Sequence, residues 1–148
     1  MKALTLYQPW ASLVVLGEKK IETRSWQTRY TGPLAIHASG TLSPGFYDIC
    51  DSPPFRAALE RLGLPVGRLP LAAVLGSALL VACVSTEELL DAGLSTQEQA
   101  LGDYGPRRFG WIMQDACALP EPVLCRGHLW LWELPEDVLR KMHAHHRD

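Results

Sequence analysis

The run Gly17-Glu18-Lys19-Lys20-Ile21-Glu22-Thr23-Arg24 sets an ammonium, a carboxylate and a guanidinium close together at Lys19, Glu22 and Arg24. It follows directly on the almost wholly apolar segment Pro9 to Leu16. Charges that close to a buried element are costly unless they face a cleft or one another. At the mouth of a cleft, Lys19 can hold a phosphate as a point charge. Desolvated near Arg24, its pKa would fall and it would serve as a base or nucleophile. The plainer alternative is an ion pair with Glu22, worth little at a surface. Glu22 can orient a ligand amine or activate a water. Arg24 can fork onto phosphate or carboxylate, or pair with Glu22 on the same strand face.

Other residues fit the same chemistry. Trp10 and Trp26 can stack on a base, which typically contributes about 1–3 kcal/mol per base. Trp10 has core packing as its alternative. Arg107 and Arg108 beside Tyr104 and Phe109 interleave cations with aromatics, a wall for a single strand of nucleic acid or a solvated turn before a core strand. His37 lies in an apolar strand and reads as a hydrogen-bonded core residue. Trp111, Trp130 and Trp132 read as core or barrel surface. His143, His145 and His146 form a terminal cluster, taken as a mobile tail. There is no P-loop, dinucleotide-binding glycine pattern, serine elbow or H-E-x-x-H motif.

These residues need elements to position them. Ala3 to Tyr7 alternates as a strand. Pro9 fits the first turn of a buried helix that Gly17 ends. Lys20 to Trp26 has period two, with Ile21, Thr23 and Ser25 inward and Glu22, Arg24 and Trp26 facing a cleft or solvent together. Tyr30 to Pro33 is a turn and Leu34 to Ala38 a buried strand. A helical segment opens at Ser43-Pro44, breaks at Pro53-Pro54, resumes over Phe55 to Leu62 and stops at Gly63. Pro65 to Pro70 is a loop. Leu71 to Val84 is a long central strand bent at Gly76, with a helix as the alternative. Capping boxes at Ser85 and Ser95 start two short helices. Phe109 to Met113 is a strand, Pro120 and Pro122 mark an irregular link, and Cys125 to Leu134 contains a further strand. A last helix runs from Pro135 to about His143. Five or six strands without a βαβ rhythm give an α+β fold around a small mixed or antiparallel barrel.

A chain of 148 residues fits one domain, 1–148, with one core. Apolar residues make up 47%, too many for a disordered chain. No apolar stretch is long enough for a membrane helix and the N-terminus lacks a signal-peptide layout, so a cytoplasmic protein is expected. The four cysteines form no C-x-x-C pair, which argues against a structural zinc site, and no cofactor is expected. Cys83 reads as a core residue. The net charge is −2, but residues 1–40 carry five cations against two carboxylates. A positive N-terminal third on an acidic body points to an anionic ligand docking in one place.

Leu4 to Trp10 (L-T-L-Y-Q-P-W), the following helix and the pattern G-x-K-x-x-E-x-R with Ser25-Trp26 resemble the ASCH domain, the family named for homology to a transcription coactivator, activating signal cointegrator. Tyr104 to Trp111 and Gly127 to Trp132 also resemble bacterial members; Thr41 to Pro70 has no counterpart. The resemblance implies a PUA-like β-barrel with inserted and flanking helices, and a cleft beside the first helix. It implies RNA or single-stranded nucleic acid, or a nucleotide-like small molecule, as partner. Some members resemble amidohydrolases acting on N4-acetylcytidine and others are ribonucleases. For the hydrolases the resemblance implies a catalytic set at Lys19, Glu22 and a later glutamate, for which Glu98 is the nearest candidate. Those members place threonine where this chain has Glu22. A protein-interaction module is the third alternative.

Overall fold

The computed structural model describes residues 1–145. Six strands form one mixed sheet in the order β2-β5-β4-β3-β1-β6. They are β1 (Lys2–Leu6), β2 (Ile21–Arg24), β3 (Gly32–Ala38), β4 (Ala73–Ser85), β5 (Phe109–Leu124) and β6 (Leu131–Glu133). Only β1 and β3 run parallel; the other neighbours are antiparallel. Among the described residues six helices are inserted between or after them: α1 (Trp10–Val15), α2 (Phe46–Asp51), α3 (Pro53–Arg61), α4 (Thr86–Ala92), α5 (Thr96–Leu101) and α6 (Glu136–His145). This is an α+β architecture built on a curled half-barrel.

The sheet leaves β2 and β6 as edges, and side chains bring those edges together. Trp26, just past β2, meets Trp130, just before β6, edge to face at 4.8 Å. Arg24 Nη1 donates to Thr5 O of β1 at 3.5 Å. The main core lies inside the curl, where α1 packs Ala11, Val14 and Val15 against Leu4, Leu34, Leu80, Trp111 and Met113.

Gly17 ends α1 in the left-handed region at φ +79°. Glu18 N donates to Leu13 O and Gly17 N to Val14 O, the bond pair of a Schellman motif. Lys19 N also reaches Leu13 O, at 3.0 Å, so the chain folds back under the helix end instead of running outward. Gly76 is required by space: a Cβ there would sit 2.2 Å from Cys117 O and 2.3 Å from Val15 Cγ2. The β4–β5 register shifts between Val74 and Gly76.

Several sequence expectations change. Pro53-Pro54 does not lie between helices; after a break at Ser52 it forms the first turn of α3, where a missing N–H is harmless. Pro65 to Pro70 carries one 3-10 turn, Val66–Arg68. Pro120 and Pro122 sit inside β5, not in a link, because they fall in the bulge between the Ala118 and Val123 pairings, where no ladder N–H is called for. The strand expected within Cys125 to Leu134 is Leu131–Glu133, and Trp130 before it takes a left-handed backbone at φ +62°. Cys83 is half-buried, and the fully buried thiol is Cys50. No helix among the described residues is long and apolar enough to cross a membrane. His146 lies outside the described residues; His143 is an exposed residue of α6.

Candidate functional site: a cleft with a charged floor

A cleft of about 800 Å³ opens where β2 meets α1, α2, α3 and the end of α5. Its size is that of a small-molecule site. Tyr7, Trp10, Trp26 and Phe55 supply aromatic wall, and Arg24 and Arg108 supply the cations. Glu22, Asp48 and Asp103 supply carboxylates.

Each group is held by a specific contact. Trp10 Nε1 donates to Leu101 O at 3.0 Å while its ring meets Phe55 edge-on at 5.7 Å, so Trp10 serves both core and cleft. Trp26 is braced edge-on by the buried Trp111 at 4.6 Å. The Arg24 guanidinium lies 5.8 Å from the Trp26 ring centroid, within cation–π range. Arg108 is tied by Nη2 to Thr23 O and by Nε to Asp103 O, both at 3.1 Å. Asp103 N in turn donates to Thr23 Oγ1 at 3.0 Å. The α5–β5 connection is thereby stitched to β2.

Beneath the cleft lies a second layer of charge. Lys19 is 1% exposed, and its ammonium donates to Ile21 O. Burial pushes its pKa below the ordinary lysine value, while the Glu22 and Glu98 charges push it back up. Glu22 is also buried, yet it lines the cleft. Glu98 caps the arrangement with Oε1 accepting from Lys20 N at 2.6 Å; its Oε2 is buried without a partner. The Tyr104 hydroxyl is likewise buried and unpartnered, and burial, then the Glu98 and Glu22 charges, raise its pKa. A single residue separates the layers: a Cβ on Gly102 would meet Tyr104 Cε2 at 2.9 Å and Lys19 Nζ at 3.5 Å.

The structure therefore sorts the residues singled out in the sequence. Glu22, Arg24, Trp26, Trp10 and Arg108 line one cleft. Lys19 is under its floor, not at its mouth, because the Schellman turn folds the chain back beneath α1. Tyr104 stands with Lys19 behind Gly102, and its hydroxyl is not on a wall. Arg107 is exposed, in the left-handed region at φ +62°, with its N–H on Glu87 Oε1, and does not line the cleft. Glu98 keeps half of its capping role, its N–H donating to Ser95 Oγ, while its carboxylate turns to Lys20 N and the buried cluster instead of back to the cap residue. On β2 the two-faced reading fails for Thr23 and Ser25, which line the cleft beside Glu22 and Arg24.

The sequence reading missed Tyr7, Asp103 and the wall formed by Asp48, Ile49, Ser52 and Phe55. Asp103 adjoins Tyr104 and Tyr7 falls within the L-T-L-Y-Q-P-W stretch, so position along the chain was a usable signal. The wall comes from the segment Thr41 to Pro70, and only the contact of Phe55 with Trp10 reveals it.

With this geometry in place, the family follows. The ASCH domain model matches residues 4–112, and the chain belongs to that family. Residues of this chain are 54% identical over 37 positions to activating signal cointegrator 1 of Mus musculus, and 53% over 36 positions to that of Homo sapiens. Each match spans only 6% of the cointegrator's length, and 25% and 24% of this chain. The crystal structure of ASCH from Zymomonas mobilis superposes with a TM-score of 0.57 at 19% identity, covering 97% of this chain and 93% of that one. A Y47F variant of that protein gives the same TM-score at 18% identity, covering 97% of this chain and 96% of its own. These likenesses establish the fold.

Proposed function

We propose that the cleft binds a nucleotide unit, with single-stranded RNA as the polymer it takes. The observation that carries this reading is the joint lining of one cleft by Arg24, Arg108, Trp26 and Trp10. Two cations can meet phosphate oxygens, and flat aromatic faces stack on bases of any sequence. Asp48, Asp103 and Glu22 can accept from base amino groups or ribose hydroxyls. Lys19 supports the floor and does not touch the ligand, so Lys19→Ala is a poor probe of binding.

The test is calorimetric titration with mononucleotides and a short single-stranded RNA. Arg24→Ala should weaken binding roughly tenfold or more, the worth of one charge-assisted hydrogen bond. With at most two phosphates neutralised, the slope of log K against log salt should be no steeper than about −1.4. Binding unchanged in both Arg24→Ala and Arg108→Ala would sink the reading.

One observation favours a second reading, a hydrolase that needs no metal. Glu22 is the member of the buried cluster that lines the cleft, with the Lys19 ammonium close enough for their charges to interact. Such a carboxylate can act as general base toward a water poised on a modified nucleoside or an RNA phosphodiester. Glu22→Gln should abolish turnover of acylated nucleosides or short RNAs with the fold intact. No turnover by the wild-type protein on either class removes this reading.

A further inference from the structure

Resting on the nucleotide-binding reading above, we propose that Trp130 is a second stacking platform outside the cleft. The ligand is then a single strand of at least two nucleotides, not a free nucleotide.

Four observations on the β5–β6 loop carry this. Trp130 is 60% exposed, although a ring of this size ordinarily buries most of its surface. Its backbone is held at φ +62°, a conformation that costs a bulky residue energy and is kept where the surroundings impose it. Its ring meets Trp26 edge to face at 4.8 Å, and Trp26 lines the cleft, so the aromatic surface runs on from the cleft to the outside. The loop is also anchored. Gly127 is pressed so close to His37 that a Cβ would lie 2.6 Å from Cε1. His37 Nε2 donates to Cys125 O at 2.7 Å, and Trp132 Nε1 donates to Thr5 Oγ1 at 3.1 Å. An exposed aromatic on a rigid support loses little freedom when a base settles on it.

The charge around the loop suits a polyanion. Arg126 and His128 are exposed on it, and Arg24 sits over the adjoining Trp26. The one carboxylate of β6, Glu133, is paired with the N-terminal amine at 3.1 Å and Lys2 at 2.9 Å. A strand leaving the cleft past Arg24 thus meets an aromatic face on a loop that also carries the exposed Arg126, a combination found in sequence-tolerant single-strand binders.

The test compares wild type, Trp130→Ala and Trp130→Tyr by calorimetry. The four ribonucleoside monophosphates are titrated first, then homo-oligoribonucleotides of two to six residues of the base that binds best. Wild type should bind the dinucleotide at least about fivefold more tightly than the monophosphate, the minimum for one further stacked base. Trp130→Ala should lose that gain and keep monophosphate affinity within about twofold, and Trp130→Tyr should restore most of it. Equal mono- and oligonucleotide affinities in wild type would overturn the platform alone, as would an Ala variant that keeps the gain. A wild type that binds none of these ligands overturns the nucleotide-binding reading and the platform together. Melting of each variant checks its fold, and the Tyr variant keeps the test decisive where Ala disturbs the Trp26 packing.

Discussion

On one side of Gly102 the charged groups are sealed in; on the other they stand in an open cleft. Lys19 and Glu22 are both buried, whereas Arg24 and Arg108 are half-exposed. The buried set must compensate its own desolvation, since an unpaired charge there is costly. The open set keeps water on part of each guanidinium, so its orientation is cheap and its remaining donors are available to a ligand. The same short motif feeds both layers. Lys19 turns under α1, Glu22 reaches the boundary, and Arg24 emerges into the cleft. Identity of residue type thus does not predict role here; the turn at Gly17 does.

The sharpest way to break this comparison is to remove the sealed cation. Lys19→Met takes away the buried ammonium whose charge acts on Glu22 and Glu98, and stability should fall by more than the roughly 1 kcal/mol of a surface pair. Urea unfolding should show that larger loss, and adding Glu22→Gln should recover part of it. A loss below about 1 kcal/mol, the range of surface pairs, would place Lys19 outside a buried network.

Next in size is the partition itself. Gly102→Ala drives a methyl toward Tyr104 and Lys19, and such overpacking costs typically about 1–3 kcal/mol. Because Gly102 also lines the cleft, ligand affinity should fall with stability in this variant. An unchanged melting temperature and affinity would show that the two layers are not in contact there.

The smallest expected effect concerns the loop that presents Trp130. Nδ1 of His37 lies 3.1 Å from Thr5 Oγ1, and Nε2 donates to Cys125 O, so the neutral ring satisfies both partners. Burial holds the His37 pKa below the ordinary value, with the nearby His128 acting in the same sense against the Cys125 bond. The unfolded chain therefore takes up a proton near pH 6.5 that the folded chain resists. Stability is full above that pH and declines as pH falls through it. The melting temperature should drop from pH 7.5 to 5.5, and His37→Gln should lessen the drop. An equal drop in that variant would assign it to other groups.

Much of this layout is legible in the sequence where local rules act alone. The helix stop at Gly17 rests on a left-handed backbone, the caps at Ser85 and Ser95 on a side-chain oxygen that few residues offer, and the irregularity at Gly76 on space that only glycine leaves. The burial of Lys19 is not legible, because a charged residue after a glycine stop reads as solvated. What hides it is a fold-back visible only through the bonds to Leu13 O. The α2–α3 wall is equally opaque, since its place beside the cleft depends on long-range packing of Phe55 on Trp10. Pro120 and Pro122 mislead for a related reason. Proline forbids a ladder bond, and only the register shows that none was required.

The most direct measurement is a paired one on Arg24→Ala: affinity for a short single-stranded RNA and urea stability, each beside wild type. The account predicts binding weaker by about tenfold or more with stability within about 0.5 kcal/mol, because Arg24 belongs to the open layer. Unchanged binding, or a loss of affinity matched by a large loss of stability, would contradict it.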